Sequence, residues 1–352
     1  MRIIITFLAF FVFVSFCNAQ QFDIGEINDA KYRIYIPENW NKGLVIYCHG
    51  YQEIGEEIDP LIAKLDDFVK IFSDKGFAFA ESSYRKQGLI IKEGIEDTEA
   101  LRQYFENTYG KTELNVIVGH SMGGMITLAT IEKFHHLYEG ALPLCGWLSP
   151  ASSLIKRGLD MLAIYDYLFE YNNSGLINQL QYIDEEDIDK NLKKNLALAE
   201  SFSTKFKIKR SDLAEMLSFQ QIVLHESMRW LNGLPSGNEQ TIYDGFGELN
   251  DEINKNILRY KPNFSAQEYY IDNYTPTGII YDPVLAIHNL YDALLPIYNY
   301  EYYNELTKIR STNELYKQVY VSTEGHCEFS IKEISDYFNE LINWVRTKKK
   351  KI

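Results

Sequence analysis

Lys31-Tyr32-Arg33-Ile34-Tyr35-Ile36 alternates polar and apolar residues, the period of a strand with one face buried. Gly43-Leu44-Val45-Ile46-Tyr47-Cys48 is instead a continuous apolar run, as a strand covered on both faces shows. The spacing then changes. Leu61, Ile62, Leu65, Phe68, Val69 and Phe72 recur at helical intervals, and Gly76 closes that helix before a strand at Phe77-Ala78-Phe79-Ala80. A second helix is expected from Ile95 to Tyr109, followed by the strand Asn115-Val116-Ile117-Val118, an apolar helix through Met125-Ile126-Thr127-Leu128-Ala129, and the short buried strand Ala141-Leu142-Pro143-Leu144-Cys145-Gly146. Repeated strand–helix units of this kind predict a mostly parallel sheet with helices on both faces.

The alternation then stops. From about Ser149 to Phe219 the apolar positions keep helical spacing, at Leu154, Leu159, Leu162, Tyr165 and Leu168, at Leu192, Leu196 and Leu198, and at Leu213, Met216 and Leu217. Strand–helix rhythm returns with Pro283-Val284-Leu285-Ala286-Ile287-His288, a helix from Ile297 to Ile309, the strand Gln318-Val319-Tyr320-Val321 and an amphipathic helix carrying Ile331, Ile334, Phe338, Leu341 and Val345. The chain thus divides into an α/β domain of residues 20–148 and 276–352 and a mainly helical insertion, 149–275, that lies over the sheet. Tyrosine and phenylalanine are frequent in the insertion and its flanks (Tyr165, Tyr167, Phe169, Tyr171, Tyr243, Phe246, Tyr269, Tyr270, Tyr274), with core packing their expected role.

Residues 1–19 differ from the rest: Arg2, an apolar stretch from Ile3 to Phe16, then the small residues Cys17 and Ala19. This is the pattern of a secretory signal peptide cleaved after Ala19, which implies a secreted or periplasmic protein. No later run approaches the length of a membrane-spanning helix. A net charge of -14 argues against a nucleic-acid partner, and Lys348-Lys349-Lys350-Lys351 reads as a solvated tail.

Chemistry concentrates at Gly119-His120-Ser121-Met122-Gly123, a G-x-S-x-G sequence between an apolar strand and an apolar helix. A serine there rides a sharp turn, glycines on either side admit close backbone, and the helix N-terminus offers free N–H groups where an oxyanion could form. A serine hydroxyl needs a base, and the base a carboxylate. Of seven histidines, His326 alone lies in a polar loop directly after the last predicted strand. Asp292 occupies the loop after the strand ending at His288, whereas the segment after Cys145 has no carboxylate until well into the insertion. Oxyanion donors are expected at the Met122 N–H, and at the Tyr51 N–H in the loop opened by His49-Gly50. Once Cys17 is removed, Cys48, Cys145 and Cys327 remain. Cys145 and Cys327 each follow a strand ending on the same side of the sheet as Ser121, so a bridge between them is the favoured reading, with three buried thiols the alternative.

Taken together, His49-Gly50, the Ser121 pentapeptide, Asp292 and Gly325-His326 resemble the α/β-hydrolase superfamily over essentially the whole chain outside the leader and the insertion. The order nucleophile, acid, base is that superfamily's, and in it His326 is the only histidine that follows a plausible acid loop. The resemblance implies a Ser121–His326–Asp292 hydrolase working through an acyl-enzyme, with residues 149–275 as a helical cap after the sixth strand. His326-Cys327 is also similar to the tannase and feruloyl esterase group, where a cysteine next to the nucleophile bridges one next to the histidine. Here His120 holds the place before Ser121. No metal-ligand spacing appears, and the chemistry needs no cofactor. The expected substrate is a small molecule or peptide. Carboxylic-ester cleavage leads, ahead of an exported serine peptidase, for which Asp184-Glu185-Glu186-Asp187 could hold a substrate amine. A hydrolase-fold binding protein without activity is the alternative of another class.

Overall fold

The computed structural model describes residues 20–56, 66–169, 177 and 182–349. The expected leader, Leu61, Ile62 and Leu65 of the first helical run, Tyr171 and the last of the terminal lysines lie outside them. Strands β1 (Gln21–Ile27), β2 (Ala30–Ile36), β3 (Gly43–Cys48), β4 (Ala78–Ser82), β5 (Leu114–His120), β6 (Gly140–Leu144), β7 (Val284–Tyr291) and β8 (Tyr316–Glu324) form one sheet, ordered β1-β2-β4-β3-β5-β6-β7-β8. β2 pairs antiparallel with β1 and β4, and every pairing from β4 through β3 to β8 is parallel.

Side chains alternate between two apolar layers, as the pleat requires. Leu44, Ile46 and Ile117 join one cluster, and Val45, Val116 and Val118 the other. In β4 the small residues Ala78 and Ala80 face the first layer and Phe79 the second. The first layer receives α2 (Ile91–Tyr109), α3 (Met122–Lys133) and α10 (Tyr298–Arg310), through residues such as Phe105, Ile131 and Tyr300. The second is closed by α1 (Asp67–Ser73) and α11 (Ile331–Lys349), whose Phe72 and Phe338 meet edge to face. Each fully buried aromatic or branched side chain here contributes roughly 1.5–3 kcal/mol by leaving water.

Between β6 and β7 the described chain is helical: α4 (Ala151–Phe169), α5 (Glu185–Lys193), α6 (Leu196–Phe206), α7 (Leu213–Trp230), α8 (Asn250–Asn256) and α9 (Phe264–Asn273). Most of its aromatic residues are core: Tyr165, Tyr243, Phe246, Tyr270 and Tyr274 are all buried. Among the described residues no helix is long and apolar enough to cross a membrane.

Three features depart from the sequence reading. β1 is an added edge strand whose apolar Phe22 and Ile24 face solvent, while Asp23 turns inward to accept the hydroxyls of Tyr32, Tyr104 and Tyr109. Helix α2 starts at Ile91, ahead of Ile95, because the Tyr269 hydroxyl accepts the Ile91 and Lys92 N–H groups and so replaces a local cap. Lys348 is no solvated tail residue: it lies in α11 and pairs with Asp282 at 2.7 Å, just ahead of β7.

Candidate active site

Ser121 is the hinge between β5 and α3, with φ 56° and ψ -119°. A residue with a Cβ carries of order 1–3 kcal/mol of strain in such a conformation. The surrounding backbone enforces it: Ser121 N–H donates to Leu144 O at 2.9 Å, and its carbonyl accepts from Gly124 N–H at 2.9 Å. Two of the motif's glycines are there for close approach. A Cβ on Gly119 would lie 2.3 Å from Gly123 O, and one on Gly123 would lie 1.9 Å from Cys48 O. The turn therefore aims Ser121 away from the sheet at the N-terminus of α3, where the helix dipole favours negative charge.

Asp292 directly follows β7, and His326 follows β8 after Gly325. The structure brings them together with Ser121. His326 Nδ1–H donates to Asp292 Oδ2 at 2.7 Å, and Ser121 Oγ–H donates to His326 Nε2 at 2.7 Å. Asp292 Oδ1 accepts the N–H groups of Leu294 and Leu295, each at 2.9 Å. Asp292 thus closes its own turn with one oxygen and holds the histidine with the other. The carboxylate fixes the proton on Nδ1 and leaves Nε2 free to accept. The Asp292 side chain is fully buried while that of His326 is 27% exposed, so the acid is shielded and the base is reachable.

The loop after β3 lies against the serine: a Cβ on Gly50 would sit 3.4 Å from Ser121 Cβ. Tyr51, Ser121 and Met122 line one cavity. Met122 opens α3, so its N–H has no carbonyl within the helix to meet.

A family model described as the alpha/beta hydrolase fold matches residues 43–330. The chain belongs to the alpha/beta hydrolases. An o-phthalyl amidase of Xanthobacter agilis is 22% identical over 395 residues, covering 89% of this chain and 84% of the amidase. An esterase of Pyrococcus furiosus superposes with a TM-score of 0.50 at 12% identity, over 92% of this chain and 90% of the esterase, a likeness that carries the fold alone.

Two spaces adjoin the triad in this hydrolase, one lined by Ser121 and the other by His326. The inner cavity is walled by apolar side chains, among them Leu89, Met125, Trp147, Ile155, Phe219 and Val223. The second is an open cleft on the His326 side, bordered by Glu185, Asp212, Glu215 and Glu328. Helix α7 of the insertion divides the two, with Phe219 facing both. Helical spacing at Leu213, Met216 and Leu217 anticipated α7, but not the part its polar residues take in the site. Its Glu226, 2% exposed, accepts the Tyr51 hydroxyl at 2.6 Å and the Ile54 N–H at 2.7 Å, and burial raises its carboxyl pKa. The only sequence signal was polar residues on the apolar stripe Leu213, Leu217, Leu224.

The other histidines near the site are structural. Burial lowers His49 and His120 to about 4 and His288 to about 3, so all three are neutral at pH 7. His49 Nδ1–H donates to Gly50 O at 2.7 Å and its ring stacks on Tyr84. His288 Nε2–H donates to Leu295 O at 2.9 Å, bracing the turn that holds Asp292.

Cys145 and Cys327 form a disulfide with a sequence separation of 182. His120 pairs with Leu144 across β5 and β6, so Cys145 stands beside Ser121 in space, one strand over. The bridge ties the end of β6 to the residue after His326. Cys145, Cys327 and His326 offer ligand atoms within 4.8 Å of one another, but the sulfurs are bonded together and present no thiolate to a metal. Cys48 is a buried thiol whose pKa burial raises to about 12, and it is inert. Closing so long a loop stabilises the fold by about 3–5 kcal/mol in the chain-entropy account. The Cys145→Ser/Cys327→Ser pair is expected to lose that amount in a guanidinium titration. A loss below about 1 kcal/mol would show that the bridge adds little to the packing around it.

Proposed function

We propose that this hydrolase is an exported serine esterase that cleaves carboxylic esters through an acyl-enzyme. The observation that carries the reading is the unbroken chain Ser121 Oγ–His326 Nε2 and His326 Nδ1–Asp292 Oδ2, at 2.7 Å for each link. Ser121 Oγ attacks the ester carbonyl carbon as His326 Nε2 takes its proton. Negative charge on the former carbonyl oxygen is held by the N–H groups of Tyr51 and Met122. Collapse breaks the bond to the leaving oxygen, which receives the proton from His326. A water molecule then repeats the sequence against the acyl-enzyme and frees the acid and Ser121. Export is supported by the leader pattern of residues 1–19 and by the disulfide, which persists in oxidising compartments.

Amide cleavage is the second reading, favoured by the name of the Xanthobacter agilis relative. The acidic border of the cleft suits an amine in the leaving half of such a substrate, with Glu185 the one member of the 184–187 acidic run that lines it. The deciding experiment presents residues 20–352 with nitrophenyl esters and aminoacyl nitroanilides, and treats the same sample with a fluorophosphonate followed by peptide mass spectrometry. Ester turnover with the label on Ser121 is the expected result. Anilide turnover without ester turnover would move the assignment to amide bonds. A folded sample that neither turns over nor labels would sink the serine mechanism.

Glu226 gives a separate check on the oxyanion loop. Glu226→Leu removes the acceptor of the Tyr51 hydroxyl and the Ile54 N–H, at a cost of about 1–3 kcal/mol per stranded donor. We expect kcat to fall about tenfold while KM changes little, because the displaced Tyr51 N–H acts on the transition state. An unchanged kcat would place the oxyanion donors elsewhere.

A further inference from the structure

The cavity beside Ser121 is lined by a carboxamide that the mechanism does not use. Gln220 of α7 is 5% exposed and lines the cavity, and its carboxamide has no hydrogen-bond partner among the described residues. Its neighbour Gln221, 1% exposed, accepts the Ile183 N–H on Oε1 at 2.8 Å and packs in the core, where its Nε2 meets no partner among the described residues. Room for Gln220 is made by Gly158, inside α4, where a Cβ would lie 2.3 Å from the Gln220 Oε1. A glycine within a helix and an amide set among apolar side chains without a partner among the described residues both disfavour folding. The chain carries both at the wall of the cavity that contains Ser121.

Which half of a substrate meets Gln220 follows from the proton path. The leaving group must reach His326 to be protonated, and His326 borders the open cleft. The cavity lined by Tyr51, Met122 and Gln220 is bordered by Ser121 and not by His326, and takes the acyl half. We propose that Gln220 is a specificity residue that hydrogen-bonds a neutral polar group on an otherwise apolar acyl chain, so that the natural substrate is an ester or amide of an acid bearing one hydroxyl, keto or amide group. The assignment rests on the serine-hydrolase reading above. The walls exclude a charged acyl chain, since they offer no cation or anion to pair it. The carboxamide both donates and accepts, so it serves any of the three groups. A site with an unpaired buried polar group discriminates against the ligand that cannot satisfy it.

The test uses nitrophenyl esters of a short alkanoic acid, unsubstituted or bearing one hydroxyl or keto oxygen at successive carbons. The wild-type enzyme is compared with Gln220→Met, which keeps the side-chain length and removes the amide. In the wild type at least one substituted ester should exceed the alkyl ester in kcat/KM by about tenfold or more. In Gln220→Met that ratio should fall at least about tenfold, with a thermal midpoint equal to or above the wild type because a stranded amide has gone. A preference that survives the substitution, a wild type that favours the alkyl ester over every substituted one, or a midpoint several degrees lower would each overturn the assignment. Fluorophosphonate labelling of the same samples separates the two failures. A labelled enzyme without the preference removes Gln220 alone, whereas an unlabelled wild type removes the serine mechanism and this assignment with it.

Discussion

Asp292→Asn should lower kcat on a nitrophenyl ester by about 10⁴ while the protein stays folded. The two N–H groups of Leu294 and Leu295 decide the size of the effect. Both point at Oδ1, so the new side chain must keep its carbonyl oxygen there and turn its NH2 toward His326. Facing a donor, Nδ1 must become an acceptor, and the ring proton moves to Nε2, where it can no longer take a proton from Ser121. Flipping the amide would restore the ring but strand two backbone donors, at about 1–3 kcal/mol each. The carboxamide is therefore locked in the unproductive orientation. Steady-state kinetics beside a thermal melt give the answer, and a loss smaller than about tenfold would mean that Asp292 does not orient His326.

Ser121→Ala is expected to cost more, about a million-fold in kcat. The residual rate reflects substrate held against the oxyanion donors and lies about 10³ above the reaction in water. Stability should hardly change, because alanine keeps the Cβ that strains this turn at φ 56° and loses only a hydrogen bond to a partly exposed histidine. Turnover by the alanine variant within about a hundredfold of the wild type would assign the chemistry to another group.

The residues named for this chemistry could be read from the chain because each belongs to a local pattern. The pentapeptide sits between an apolar strand and an apolar helix, and Asp292 and His326 each stand just past a buried strand. Parallel strands of a single sheet end on one side, so three such positions converge without any further information. Cys145 was legible for the same reason. What escaped notice depends on contacts made far along the chain. β1 shows an inverted pattern, with Phe22 and Ile24 outward and Asp23 inward, because three tyrosines from β2 and α2 supply a polar lining. The start of α2 has no cap in its own sequence, since the acceptor comes from α9. Gln220 and Glu226 look like ordinary surface residues of an amphipathic helix until the sheet is placed beneath them. In the stripe Leu213, Leu217, Gln220, Leu224 a polar residue interrupts an apolar face, and only the fold shows that the interruption opens onto a cavity.

The hydroxyl of Tyr269 on the first turn of α2 also bears on how the molecule is made. A chain growing from its N-terminus completes the sequence of α2 long before Tyr269 leaves the ribosome, and until then the Ile91 and Lys92 N–H groups are answered only by water. β7 and β8 come later still, so a nascent chain halted before α9 is a sheet without its last two strands, with a frayed helix across it. Synthesis therefore ends before the last pieces of the structure can lock, and the polypeptide remains pliable through most of its elongation.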